Sequence, residues 1–161
     1  MKVAVAFDHR GVRLREIVLE TLRGSSYEVV DCGVDTDAVR VDYPDKAREV
    51  GEAILAGEAE RGVLVCGSGV GASVAACKLP GIRAAICHDT YSAHQGVEHD
   101  DMNVLTLGSR VIGPEPALEC ALAFLAARFS GEPRHVRRLA KVQEIEARGI
   151  GSRGASATNA P

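Results

Sequence analysis

Gly62-Val63-Leu64-Val65-Cys66 runs straight into Gly67-Ser68-Gly69-Val70-Gly71-Ala72-Ser73. The first five residues read as a short strand, apolar on both of its faces. Three glycines then fall within residues 67–71. Glycine lets a backbone turn sharply and approach a ligand closely. The next stretch, Ser73–Lys78, reads as a helix. A two-faced apolar strand that passes through a glycine turn into a helix belongs to a parallel sheet covered on both sides.

The same alternation extends in both directions. Toward the N-terminus, Lys2–Phe7 predicts a strand. Val12–Leu22 has helical spacing (Val12, Ile17, Val18, Leu22), and Gly24 is suited to stop it. Tyr27–Cys32 predicts a second strand and Asp45–Ala56 a helix, with Pro44 suited to its start. Toward the C-terminus, Ile82–Cys87 and Asn103–Leu107 read as strands on either side of a helix at Thr90–Glu98. Glu115–Phe129 is a strongly apolar helix, and Arg134–Arg148 is a helix of mixed charge. The expectation is an α/β fold, a Rossmann-like three-layer sandwich with a five-stranded parallel sheet and an extra C-terminal helix. Residues 1–148 are expected to form one domain, and residues 149–161, rich in Gly, Ser, Ala and Asn, a disordered tail. The last helix is not needed by one domain's core, so a homodimer or larger assembly is expected.

Composition narrows the function. The chain has 161 residues and a formal net charge of -3, with 46% hydrophobic and 25% charged residues. Nothing in this balance attracts nucleic acid or an anionic membrane. Trp is absent and Phe and Tyr are few, so base-stacking platforms are not expected. No apolar run approaches the ~18 residues that span a bilayer. The start, MKVAVAFDHRG, reads as a strand rather than a signal peptide. The five cysteines are odd in number and form no C-x-x-C pair. That points to a reducing, cytoplasmic setting and away from disulfides or a zinc site. No metal and no organic cofactor is expected.

In folds of this class, ligands bind outside the carboxyl ends of the strands. Those ends carry Asp8-His9, Cys66-Gly67-Ser68, Cys87-His88-Asp89 and Gly108-Ser109-Arg110. Amide groups of the glycine turn can hold a phosphate or the oxygen of an enediolate. The bland alternative is a turn with no ligand. The turn also fits G-x-G-x-x-A, a dinucleotide fingerprint, but it follows the third strand and leaves no room for a substrate domain. Cys66 reads either as a small buried hydrophobe or as a base, since the amide dipoles of the adjoining helix start favour negative charge on its sulfur. Cys32, Cys77, Cys87 and Cys120 take the buried reading. Asp8-His9 suits either capping or binding, and His99 either a solvated loop or a site. Arg134 and Arg138, four apart, share one helix face and either face solvent or grip a phosphate.

Taken together, these pieces resemble one family, the type B ribose-5-phosphate isomerases with their galactose-6-phosphate and allose-6-phosphate isomerase relatives. The matching segments are VAFDHRG, DYPDKA, LVCGSGVGASVAACKLPGIRAA, HDDMNVLTLGSRVIG and PRHVRRL, in the family's order. The resemblance implies an aldose–ketose isomerase of a small-molecule sugar phosphate. It implies Cys66 as the base that moves a proton between C2 and C1. Some members use a Glu a few positions later; here Ala72 and Ser73 are not acidic. The amides of Gly67, Gly69, Val70 and Gly71 resemble the anion hole. Ser68, often Thr in the family, would orient the substrate, and His99 would open the furanose ring. Asp8, His9, Asp100, Arg110, Arg134 and Arg138 resemble the substrate- and phosphate-binding set, with Asp100 at a position that is Asn in some members. The family's sites are shared between subunits, so His99, Asp100, Arg110 and the arginine pair are expected to serve a neighbour's loop, in a dimer or dimer of dimers.

The chemistry agrees. Removing a proton beside a carbonyl needs a matched base and oxyanion stabilisation, and a remote phosphate supplies positioning. The competing reading is a non-enzymatic phosphate- or nucleotide-binding module on the same scaffold. Such a module has no use for Cys66 with His99. Sugar length is left open, with the loop Val34–Tyr43 a candidate for setting it.

Overall fold

The computed structural model describes the backbone of residues 1–155 and the side chains through Gly149. The elements run β1 (Lys2–Phe7), a 3-10 turn (Gly11–Leu14), α1 (Arg15–Gly24), β2 (Glu28–Asp31), α2 (Tyr43–Leu55), β3 (Arg61–Cys66) and α3 (Val70–Ala76). They continue with β4 (Ala84–Ile86), α4 (Thr90–Asp100), β5 (Val104–Gly108), α5 (Pro114–Ala126) and α6 (Pro133–Ala155). All five strands are parallel, in the order β2-β1-β3-β5-β4. The expected α/β sandwich with five parallel strands is the fold observed.

Side-chain size sorts the two faces of the sheet. On β1, Val3, Val5 and Phe7 point into one core with Val18, Leu22 and Phe124 from α1 and α5. The alternate residues, Ala4 and Ala6, point the other way, toward Ala47 and Val50 of α2 and Ala72 and Ala76 of α3. Small residues let these helices sit close to the sheet. A Cβ on Gly62 would lie 2.4 Å from a Val50 methyl carbon, nearer than any real contact. Cys66 closes β3 on this small-residue side.

Element ends depart from expectation where tertiary contacts decide them. α3 starts at Val70, not Ser73, because Gly69 takes φ 83° and turns the chain straight into the helix. α4 runs on to Asp100, so His99 stands in its last turn and not in a loop. α5 stops at Ala126, where the Arg61 guanidinium donates to the carbonyls of Phe124, Leu125 and Ala127. β4 shrinks to three residues because the Asn103 side chain takes the amide of Arg83. α6 continues past Arg148 to Ala155. Residues 156–161 of the expected tail lie outside the described residues. Cys77 is exposed and Cys32 only half-buried, contrary to the buried reading; Cys77 caps the end of α3.

Candidate active site

Parallel register brings the strand ends level: Phe7 pairs with Val65, and Cys66 with Gly108. Here the chain order also reverses, since β1 is flanked by β2 on one side and β3 on the other. Crevices form at such switch points. A cleft of about 380 Å³ opens there, and Asp8, His9, Cys66, Gly67, Ser68, Gly71 and Arg110 line it. Seven of the expected residues therefore converge in one chain.

The strand-end loops are stitched together by their backbones. Asp8 is buried, and its Oδ1 accepts from the amides of Arg10 and Gly11, both at 2.8 Å. The amides of Ser109 and Arg110 donate to the carbonyls of Cys66 and Gly67. The Ser109 hydroxyl donates to the Arg10 carbonyl at 2.7 Å. Behind them, the Gly108 amide donates to His88 Nε2 at 2.9 Å. A Cβ on Gly108 would lie 2.6 Å from the Ser68 backbone, so glycine is required there.

Cys66 is buried at the floor of the cleft, and the Gly69 amide donates to its Sγ at 3.1 Å. An amide hydrogen aimed at sulfur suits a thiolate. The amide of Val70 donates to Ser68 Oγ at 3.4 Å, so Gly69 and Val70 stand within this loop network. Three of the other cysteines carry shifted thiols. Burial pushes Cys87 up to about 11, and raises Cys32 and Cys120 as well. These three are poor thiolates near neutral pH.

Five wall residues were not named as site residues by the sequence reading: Arg10, Val41, Asp42, Tyr43 and Val111. His9 Nδ1 lies 3.1 Å from the Val41 carbonyl and pins the 34–42 loop against the cleft. Tyr43 covers Gly71, where a Cβ would lie 2.6 Å from the ring. The only sequence signal was the candidate loop Val34–Tyr43. Arg10 and Arg110 flank Gly67, with their Cδ atoms 3.0 and 4.0 Å from where its Cβ would be. The resemblance groups Arg110 with residues serving a neighbour; it lies at this chain's own cleft.

His99, Asp100, Arg134 and Arg138 stand elsewhere. α4 leads from the carboxyl end of β4 back to the amino end of β5, so its last residues lie at the opposite edge of the sheet from Cys66. There His99 meets the start of α6. Its ring centroid is 4.0 Å from that of His135, and its Nδ1 is 2.6 Å from the Gln95 amide. Arg134 pairs with Glu132 at 2.9 Å, and both Arg134 and Arg138 are exposed. Asp100 lines a larger cavity of about 750 Å³ beneath α6, walled chiefly by apolar residues such as Ile82, Met102, Leu139, Val142 and Ile145. Those walls suit a protein surface better than a sugar. Among the described residues no group of three His, Cys, Asp or Glu is placed to hold a metal, and no helix is long and apolar enough to cross a membrane.

The profile of the ribose/galactose isomerase family matches residues 3–142. The chain belongs to that family. This isomerase is 42% identical over 147 residues to ribose-5-phosphate isomerase B of Escherichia coli, covering 91% of this chain and 97% of the relative. It is 39% identical over 131 residues to D-erythrulose-4-phosphate isomerase of Pectobacterium atrosepticum, covering 81% and 86%. Its fold superposes on the ribose-5-phosphate isomerase B structure from Clostridium thermocellum with a TM-score of 0.88 at 43% identity, covering 92% of this chain and 99% of that one. The protein is therefore a sugar-phosphate isomerase of the aldose–ketose kind.

Proposed function

We propose that this isomerase interconverts ribose 5-phosphate and ribulose 5-phosphate through a cis-enediolate, with Cys66 as the base. The carrying observation is the Gly69 amide on Cys66 Sγ at the floor of the cleft. The sulfur takes the proton from C2 of the open aldose as the C1 oxygen gains negative charge. The loop amides from Gly67 to Gly71 stabilise that charge. The sulfur, whose proton exchanges with solvent while the enediolate is bound, then protonates C1, and the hydroxyl proton on O2 passes to O1 under the guidance of Ser68. One base serves both carbons because both lie on one face of the enediolate.

Before this step the furanose must open. The C1–O4 bond breaks, His99 gives a proton to O4, and the proton leaving O1 goes to solvent, which reprotonates His99. His99 lies across the sheet from Cys66 in its own chain, so a second copy supplies it. The working unit is a homodimer or a dimer of dimers, and Asp100, Arg134 and Arg138 come to the cleft with the neighbour's His99. Five free cysteines support a cytoplasmic setting, and the packing of both cores on one sheet supports a single domain.

A four-carbon sugar phosphate is the second reading, favoured by the relative from Pectobacterium atrosepticum. The 34–43 segment that walls the cleft would set the choice. The test is ketose formation from ribose 5-phosphate by wild type and Cys66→Ala. The variant is expected to lose on the order of 10²- to 10⁴-fold, the contribution of a positioned base. Equal rates would remove Cys66 as the base, and an inactive wild type would pass the four-carbon substrate to the same assay.

A further inference from the structure

At the junction of α4 and α6 the protein buries a second imidazole. His135 is 1% exposed. Its Nδ1 lies 2.6 Å from the Ser130 hydroxyl, and Ser130 is tied to α4 by its amide, which donates to the Glu98 carbonyl at 3.0 Å. Its Nε2 is buried with no hydrogen-bond partner among the described residues. A buried polar nitrogen left unpaired is unfavourable. A phenyl ring would fill the same space without that cost. What His135 presents to its surroundings is a flat ring, and among the described residues its aromatic neighbour is His99, with rings 4.0 Å apart and planes 30° from parallel.

The contacts of His99 fall into a pattern. Gln95, one helical turn earlier, holds Nδ1. His135 covers one ring face. Among the described residues only Nδ1 of His99 has a hydrogen-bond partner, which leaves Nε2 for a substrate. A neutral wall is required behind a ring that carries a proton. Burial first, then the neighbouring His99 and the cations Arg134 and Arg138, push His135 below the ordinary histidine range, against Glu132.

We propose that His135 is a positioning residue for His99: its buried ring, pinned by Ser130, is the flat wall that holds the His99 imidazole with Nε2 aimed outward for ring opening. This rests on the reading of His99 as the ring-opening group. A proton donor misplaced by about 1 Å loses up to ~100-fold in rate, so the wall has a rate effect without touching substrate.

The experiment compares His135→Phe, which keeps a flat ring, with His135→Leu, which fills the space without one. His99→Ala is the control. Two readouts separate ring opening from enediolate formation. The first is ribose 5-phosphate turnover as enzyme is added, which stops rising once spontaneous ring opening becomes limiting. The second is solvent deuterium entering C1 of ribulose 5-phosphate, whose phosphorylated O5 prevents furanose closure, so exchange needs only the base. His135→Leu is expected to lose on the order of 10- to 100-fold in turnover while exchange stays within about twofold. His135→Phe is expected to hold both near wild type. Equal loss of turnover and exchange in the Leu variant would mean that His135 only supports the fold. Full turnover in the Leu variant, or a Phe variant as impaired as the Leu one, also overturns the proposal. If His99→Ala keeps enzyme-dependent ring opening, the reading of His99 fails first, and with it the role of its wall.

Discussion

Arg10 is the residue at which this cleft carries a charge the family resemblance did not supply. Its backbone is fully used: the amide donates to Asp8 and the carbonyl accepts from Ser109. Its side chain is exposed and lies along Gly67, opposite Arg110. Among the described residues neither guanidinium has an acceptor. Two forked donors on either side of an amide-rich loop suit a phosphate. Arg10→Gln should therefore raise KM for a sugar phosphate by about tenfold, the equivalent of about 1.4 kcal/mol, and leave kcat nearly unchanged. Because the group is exposed, added salt should shrink the difference. A fall in kcat with KM unmoved would mean that Arg10 acts on the chemical step and not on phosphate binding.

Among the elements, β4 and β5 meet the glycine loop through one titratable contact. His88 follows β4 and must be unprotonated at Nε2 to accept the Gly108 amide at 2.9 Å. Burial holds its pKa below the ordinary 6.5, partly opposed by Asp89. The folded state thus favours the neutral ring. Its contribution is full above the ordinary value, erodes as pH falls below it, and is gone once pH has passed the lowered folded value. Thermal unfolding followed from pH 8 to 5 should show a drop in Tm on the acid side, and His88→Asn, whose amide oxygen accepts at any pH, should flatten it. An unchanged pH profile in that variant would assign the acid loss to another group. These same elements show what a sequence can disclose. Val63, Leu64 and Val65 are apolar on both faces, so β3 was legible as a strand of a covered parallel sheet, as was the glycine turn that follows it. The start of α3 was not, because Val70-Gly71 reads as loop until Gly69 is seen at positive φ. Tyr43 and His135 were not legible as site residues, because each acts on a partner (Gly71, His99) far away in sequence. Cys77 was misread because local pattern cannot tell a helix end that faces a groove from one that faces the core.

For the whole molecule, the decisive fact is that the sheet separates Cys66 from His99 within one chain. The exposed apolar residues Val136, Val142 and Ile145 of α6, with the apolar cavity beneath that helix, give a second copy a surface to cover. If each site joins the Cys66 loop of one subunit to His99 of another, two impaired variants must rescue one another. Cys66→Ala and His99→Ala chains, co-expressed with different tags, pair at random. Each mixed dimer then holds one site with both groups intact and one with neither. Because the twofold relates the two sites, about a quarter of all sites in the mixture should be active, and purification on both tags should raise that to about half. Ribose 5-phosphate turnover of the doubly purified dimer measures it directly. A mixed dimer of confirmed mass that stays as impaired as its parents would place the whole site within one chain, and ring opening would then need a donor from the Cys66 cleft itself.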